Sequence, residues 1–388
     1  MTIGINIIPS AGIAAVTEID CGTSTPKLSG TIQSLSKFVN LERFRTINHE
    51  LTGSIPNLEN CTLLKEFNVS ENNFSGNFPI LSANLDLEIF DITKNSIAGP
   101  MASVSANNNL KFFNVGDNNI TGTIPNLGPL TALIDANFYI NSLTGRLPDL
   151  SANTNLKFFR SYGNNNIAGP FPALPSSLIV VDAYNNDLSG SFPMLSSTPN
   201  LEIFLCNRFP DGQLTGPLPA FSAAPNLTIY SITGHQAQGI VPSLSSNTVL
   251  QVLNLNYNAL SGDFPNLENC TNLVGLRFNS NKGKNGSPGI TGDIPTLSAC
   301  TSIQVCDVAT NALTGFAGGS IPATLINIQA QGNNLGAAAI NAILAALVAA
   351  GSTNNICNLG DIGNAAPTGQ GLTDKATLIS RGWDITTN

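Results

Sequence analysis

One glycine recurs along this chain at a spacing that few folds can accommodate. It stands at Gly30, Gly53, Gly76, Gly99, Gly122, Gly145, Gly169, Gly190, Gly216, Gly239, Gly262, Gly292 and Gly315, and most steps between them are 23 residues. Self-similarity at a fixed period of this length predicts a stack of identical coils, each too small to bury its own apolar face, and it overrides the two or three globular domains that length alone suggests. Each unit reads L-x-x-F-x-V-x-x-N-x-I-x-G-x-I-P-x-L, as in Leu110, Phe113, Val115, Asn118, Ile120, Gly122, Ile124, Pro125 and Leu127.

Apolar alternation through Phe113 and Val115 predicts a short strand with one buried face. The asparagine falls where the chain must leave that strand, and its amide can bond the backbone of the turn and of the neighbouring coil. Asn72, Asn95, Asn118, Asn141, Asn165, Asn186, Asn258 and Asn311 stand four residues before their glycines. His49 and His235 occupy the same slot, so both histidines of the chain read as asparagine substitutes rather than as bases or metal ligands. Glycine supplies a backbone conformation that other residues resist, and proline withholds a donor where an outer edge needs none.

With "LTGSIP" (51–56), "ITGTIP" (120–125), "LTGPLP" (214–219) and "ITGDIP" (290–295), the chain resembles a leucine-rich-repeat protein of the plant-type class, over about four fifths of its length. The resemblance implies a right-handed superhelical solenoid, mostly β, of about 13–14 repeats. It also implies a parallel sheet on the concave side, a second short sheet at the I-P steps, and recognition of other macromolecules rather than catalysis. The expected organisation is an N-terminal segment 1–26, a solenoid 27–336 and a small α/β capping module 337–388. That module is expected to hold a helix at 337–350 closed by Gly351, a strand, a short helix from Thr373 with Asp374 in its first turn and Gly382 as its stop, and a final strand carrying the one tryptophan. Its "APTGQGLTDKATLISRGW" resembles the C-terminal module of repeat proteins of bacteria and bacteriophages.

The chain begins "MTIGINIIPSAGIAAVTEID", without a basic n-region, which predicts no cleaved secretory leader. No apolar run reaches membrane-spanning length, so no membrane insertion is expected. Seven cysteines, an odd number, mostly follow the repeat grammar: Cys61, Cys270 and Cys300 lie eight residues after a motif glycine, and Cys206 and Cys306 point inward from strands. They read as reduced core thiols of a protein folded in a reducing compartment, although Cys270 and Cys300 lie in adjacent units and a bridge between them stays open. The apolar N-terminal segment either caps the first repeat or anchors the protein to a larger assembly by adding a strand to a neighbour.

Catalytic constellations are scarce. Two histidines in ladder slots leave no Ser-His-Asp or Cys-His arrangement, zinc spacing is absent, and "GKNGSPG" lacks the ending of a phosphate loop. Asp91, Asp135, Asp182 and Asp307 are scattered carboxylates on the open sheet face. A net charge of -8 argues against a nucleic-acid partner. No enzyme, cofactor or metal is expected.

Specificity should lie in what varies between repeats. Counting the first leucine of a unit as position one, positions four and six point inward, and three, five and seven outward. Position three is mostly apolar from Ile89 to Val252 and includes Phe112, Phe158 and Val180; position five carries Asn114, Asn137, Arg160 and Asp182. Position seven holds Tyr139, Tyr162 and Tyr184 in consecutive units, expected to form an aromatic row about 10 Å long. Such a row suits sugar rings or a protein partner; strand propensity alone also favours these residues. Two insertions, 207–213 with Arg208, Phe209 and Asp211, and 279–289 with Lys282 and Lys284, should project from one edge, either as binding loops or as tolerated surface loops.

These features suit a non-enzymatic virion component of a bacteriophage, on the capsid or tail. It would be made in the host cytoplasm, hold other virion proteins through its N-terminal segment and contact host-surface glycan or protein on the concave face. The alternative is a bacterial cell-surface adhesin. An ice-binding protein ranks lower, because a regular flat threonine array is missing.

Overall fold

The computed structural model describes residues 15–22, 25–210 and 212–388, which form two compact units, Met1–Leu188 and Ser189–Asn388. Each is a parallel β-solenoid of leucine-rich-repeat type. In the first, eight described strands line up in chain order: Glu18–Asp20, Arg43–Arg45, Glu66–Asn68, Ile89–Asp91, Phe112–Asn114, Asp135–Asn137, Phe158–Arg160 and Val180–Asp182. Every coil places position four opposite position four of the next, as in Phe113 against Ala136 and Ala136 against Phe159. Eight strands of the second unit, from Ile203–Leu205 to Asp384–Thr386, follow the same rule.

Alternation along the strand produces this packing. Leu110, Phe113, Val115, Ile120 and Leu127 are all fully buried, each worth about 1.5–3 kcal/mol on leaving water. Phenylalanines form a spine through the first unit, with ring centroids 5.4 Å apart for Phe44–Phe67, 5.9 Å for Phe67–Phe90 and 6.1 Å for Phe90–Phe113. Where position four shrinks to Ala136, the ring moves to position six, and Phe138 continues the spine at 5.5 Å from Phe113 and 6.2 Å from Phe159.

The corner is held by the asparagine. Asn118 Nδ2 donates to Ile92 O at 2.9 Å, Val115 O at 3.2 Å and Gly116 O at 3.1 Å, while its Oδ1 accepts from Ile97 N at 3.0 Å. One side chain thus satisfies buried backbone groups of two coils. Gly122 then turns at φ +76°, and a Cβ there would meet Pro100 Cβ of the preceding coil at 3.2 Å. A second set of short strands lies beside this glycine: Asn119–Thr121 ends just before it, Glu50–Ser54 runs through Gly53 ahead of Ile55 and Pro56, and Asp293–Ile294 reaches the Ile of its Ile-Pro step.

Two details differ from expectation. In the 24-residue unit the corner belongs to Asn164, whose Nδ2 donates to Phe138 O at 3.0 Å and Ser161 O at 2.8 Å and whose Oδ1 accepts from Leu143 N at 3.1 Å. Asn165 is exposed, at φ +62°. The extra residue lies after the corner, so counting back from Gly169 overshoots by one. Asn281 and Asn333 also serve as corners, displaced from their glycines by the irregular units that follow them.

His49 and His235 do stand in for asparagine: their Nδ1 atoms accept from Leu28 N at 3.2 Å and Leu214 N at 3.3 Å. His235 Nε2 reaches Cys206 O at 2.6 Å. None of the seven cysteines is in a disulfide, and Cys270 and Cys300 form no bridge.

At the C-terminus, helix α1 (Ala337–Ala350) buries Ile340, Ile343, Leu344 and Leu347 and ends at Gly351, φ +76°. Helix α2 (Gln370–Ser380) packs on it. It begins at Gln370, one turn before Thr373, so Asp374 sits inside the helix, accepting from Gln370 Nε2 at 3.0 Å. Ile356–Asn358 and Asp384–Thr386 extend the parallel sheet of this unit. At the other end, Glu18–Asp20 pairs with Arg43–Arg45; the expected anchoring segment falls mainly on residues 1–14, outside those described. No helix among the described residues is long and apolar enough to cross a membrane.

Candidate functional site on the open sheet face

Position seven leaves each strand at its C-terminal end with the side chain on the open face of the sheet. Tyr139, Tyr162 and Tyr184 arrive there at the coil spacing, and their rings stack face to face: centroids are 4.9 Å apart at 7° for the first pair and 4.6 Å at 10° for the second. The preceding coil has Gly116 at this position. A Cβ on Gly116 would lie 2.5 Å from Tyr139 Cε1, so the absent side chain is what lets the ring lie flat against the backbone. Both faces of Tyr162 are therefore covered by its neighbours, and one face of Tyr184 by Tyr162, which leaves less ring face for stacking than three separate tyrosines would offer. All three phenols titrate above their ordinary value, chiefly through burial, with neighbouring carboxylates adding to the shift.

Position five forms a hydrogen-bonded chain beside this row. Arg160 Nη1 donates to Asn137 Oδ1 at 3.1 Å and Asp135 Oδ1 at 3.2 Å, Asn137 Nδ2 to Asn114 Oδ1 at 2.7 Å, and Asn114 Nδ2 to Asp91 Oδ2 at 3.3 Å. The guanidinium carbon lies 5.1 Å from the centre of the Phe158 ring. Half-buried Phe112, Phe158 and Val180 form the apolar strip of position three. Burial raises the Asp135 carboxyl, opposed by Arg160. It pushes Asp182, only 9% exposed, up to about 6, against a weaker opposing pull from the Tyr184 amide and Arg160.

The ten face residues named from sequence thus fall on one surface. Gly116, Asp91 and Asp135 complete it. The glycine was detectable as a gap at position seven immediately before the tyrosines, whereas the direction of Arg160 was not detectable at all.

Both edge loops belong to the second unit and converge. Phe209, 59% exposed, meets Tyr257 edge-on at 4.6 Å. Lys284 Nζ donates to Tyr257 O at 2.8 Å and Gly234 O at 3.1 Å. Arg208 is half-buried and Lys282 exposed; Asp211 lies outside the described residues. Among the described residues, no group of three or more His, Cys, Asp or Glu is placed to hold a metal ion.

No family model matches the chain, and no curated protein matches it. Solved structures do. The Arabidopsis receptor kinase HAESA, in complex with the peptide hormone IDA and the co-receptor SERK1, is similar at TM-score 0.75 and 24% identity, over 93% of this chain and 61% of that one. The plant peptide hormone receptor RGFR1 in complex with RGF2 gives 0.66 and 24%, over 93% and 62%. The functional domain of InlJ from Listeria monocytogenes, which includes a cysteine ladder, gives 0.58 and 14%, over 83% and 64%. The chain spans about three fifths of the length of these structures. At this identity the likeness establishes the leucine-rich-repeat fold.

Proposed function

We propose that the protein is a non-catalytic recognition module that reads an extended polypeptide on the open sheet face of its first unit. The observation that carries this reading is the tyrosine stack, three half-buried rings held parallel at 4.9 and 4.6 Å in positions the scaffold does not need. Rings fixed in advance lose little entropy on binding, and Tyr and Arg recur at the energetic centres of protein interfaces. With both faces of Tyr162 covered, the row is flanked by amides and one guanidinium, groups that match the backbone and side chains of a peptide. That HAESA and RGFR1 were solved with peptide ligands supports the same reading.

Panning a random linear peptide library against the protein tests it. Enriched peptides should bind Tyr162→Ala and Arg160→Ala at least about tenfold more weakly, with both variants still folded by circular dichroism at the assay temperature. Absence of enrichment, or equal binding to the variants, removes the reading; retention of glycans instead would change the partner class.

The setting we propose is the surface of a bacteriophage particle, on the resemblance of the C-terminal segment, with a bacterial cell surface as the alternative. Mass spectrometry of purified particles tests this, and absence of the chain from them defeats it.

A further inference from the structure

Among the carboxylates of this face, Asp182 is treated differently from its neighbours. Asp91 accepts from Asn114 Nδ2 and from Thr93 N at 2.9 Å, and Asp135 accepts from Arg160. Asp182 is only 9% exposed, yet its carboxylate accepts just one hydrogen bond, a long 3.5 Å contact from the Tyr184 amide. Arg160 stands opposite it in register and turns away. The contact with the Tyr184 amide sets the carboxylate beside that residue, whose ring stacks on Tyr162 at 4.6 Å, and its charge adds to the rise of both phenols. Around it, positions three to seven from Ile89 to Tyr184 hold three carboxylates, Asp91, Asp135 and Asp182, against the single guanidinium of Arg160.

A buried carboxylate without a proper donor is costly, and the cost falls when a cation enters. We infer that Asp182, with the hydroxyl rims of Tyr162 and Tyr184, forms a subsite for a cationic side chain, a guanidinium or ammonium group presented by the polypeptide partner. Charge complementarity selects the occupant: the patch is acidic, desolvated and bordered by phenolic acceptors. This inference rests on the open sheet face being the recognition surface.

The test uses the full chain with N-acetyl-arginine amide and its neutral isostere N-acetyl-citrulline amide, followed by the ring-proton resonances of the tyrosines. Arginine amide should shift the Tyr162 and Tyr184 signals saturably, and citrulline amide should bind about ten- to a hundredfold more weakly. Asp182→Asn, a neutral isostere expected to fold, should lose the difference between the probes, whereas the exposed Asp149→Asn, just after the Leu147-Pro148 step and outside the strands of this sheet, should keep it. Equal binding of the two probes, or an unchanged response in Asp182→Asn, overturns the inference. If library peptides depend on Tyr162 yet not on Asp182, the face is a recognition surface without this subsite. If panning yields nothing while arginine amide still saturates through Asp182, the subsite stands and the polypeptide reading fails.

Discussion

Arg160 is paired in register with Asp182, but its guanidinium reaches the opposite way, to Asp135 at 3.2 Å and Asn137 at 3.1 Å. Asp135 and Asp182 compete for one cation, and the winner also brings an amide acceptor and the Phe158 ring. The loser keeps a desolvated charge, which is why its carboxyl titrates at about 6.

A stability signature follows, and its sign is fixed. The folded carboxyl binds its proton more tightly than the unfolded one, so stability is highest below the unfolded value and falls as pH rises towards about 6. Asp182→Asn removes that loss, worth about 2–3 kcal/mol at neutral pH. Thermal melts should show the variant more stable than wild type at pH 7.5, with the gap closing by pH 4. A constant gap across this range would mean that the carboxylate is not the cause.

The corner asparagines should be separable from their neighbours. Asn164→Ala leaves Phe138 O, Ser161 O and Leu143 N without their side-chain partner, a loss of about 3 kcal/mol or more. Asn165→Gly places a residue that tolerates φ +62° at an exposed site. Denaturant unfolding should rank Asn164→Ala far below Asn165→Gly, and the reverse order would restore the assignment made by counting back from the glycine.

That misassignment shows where sequence legibility ends. Forward from Phe159 the corner falls five residues on, at Asn164; backward from Gly169 it falls at Asn165, because an insertion keeps register with whichever element precedes it. Strands, corners and the tyrosine row are readable, since the period sets them. The direction of Arg160 is not, because two acids lie within reach and torsions decide between them. Helix α2 starts at Gln370 rather than Thr373 for a related reason: Gly369, Gln370 and Gly371 read locally as loop, and packing on α1 extends the helix back to Gln370, with Gly369 as its cap.

Lys284 pins its loop through two backbone carbonyls, those of Tyr257 and Gly234. Lys284→Met should release residues 279–289 to limited proteolysis while changing global stability by within about 1 kcal/mol, because the loop lies outside the repeat core. Unchanged proteolysis would show that the remaining tethers, Ser287 donating to Leu260 O at 2.8 Å and Asn285 to Gln236 Oε1 at 3.2 Å, hold the loop without it.

The thiols should report on folding. Burial pushes Cys306 and Cys357 up to about 12 and Cys300 up to about 11, and reactivity requires thiolate and access. Iodoacetamide at pH 8 should modify the half-buried Cys21 in the native protein and all seven cysteines in denaturant. Rapid native-state labelling of Cys306 would contradict the packing described.

His235 should give a pH response of opposite sign to that of Asp182. It is 1% exposed, and burial holds its imidazole down at about 4, despite the bond to Cys206 O, with Lys284 and Arg208 lowering it further. The unfolded side chain takes up a proton near 6.5 while the folded one resists, so stability is full above that value and is lost as pH falls from 6.5 towards 4. His235→Asn places in this slot the residue that fills it at Asn118 and Asn258, and an amide does not titrate. Melts between pH 7 and 4 should therefore show wild type losing about 2–3 kcal/mol more than the variant. Parallel curves would mean that the folded imidazole takes up its proton at the same pH as the unfolded one.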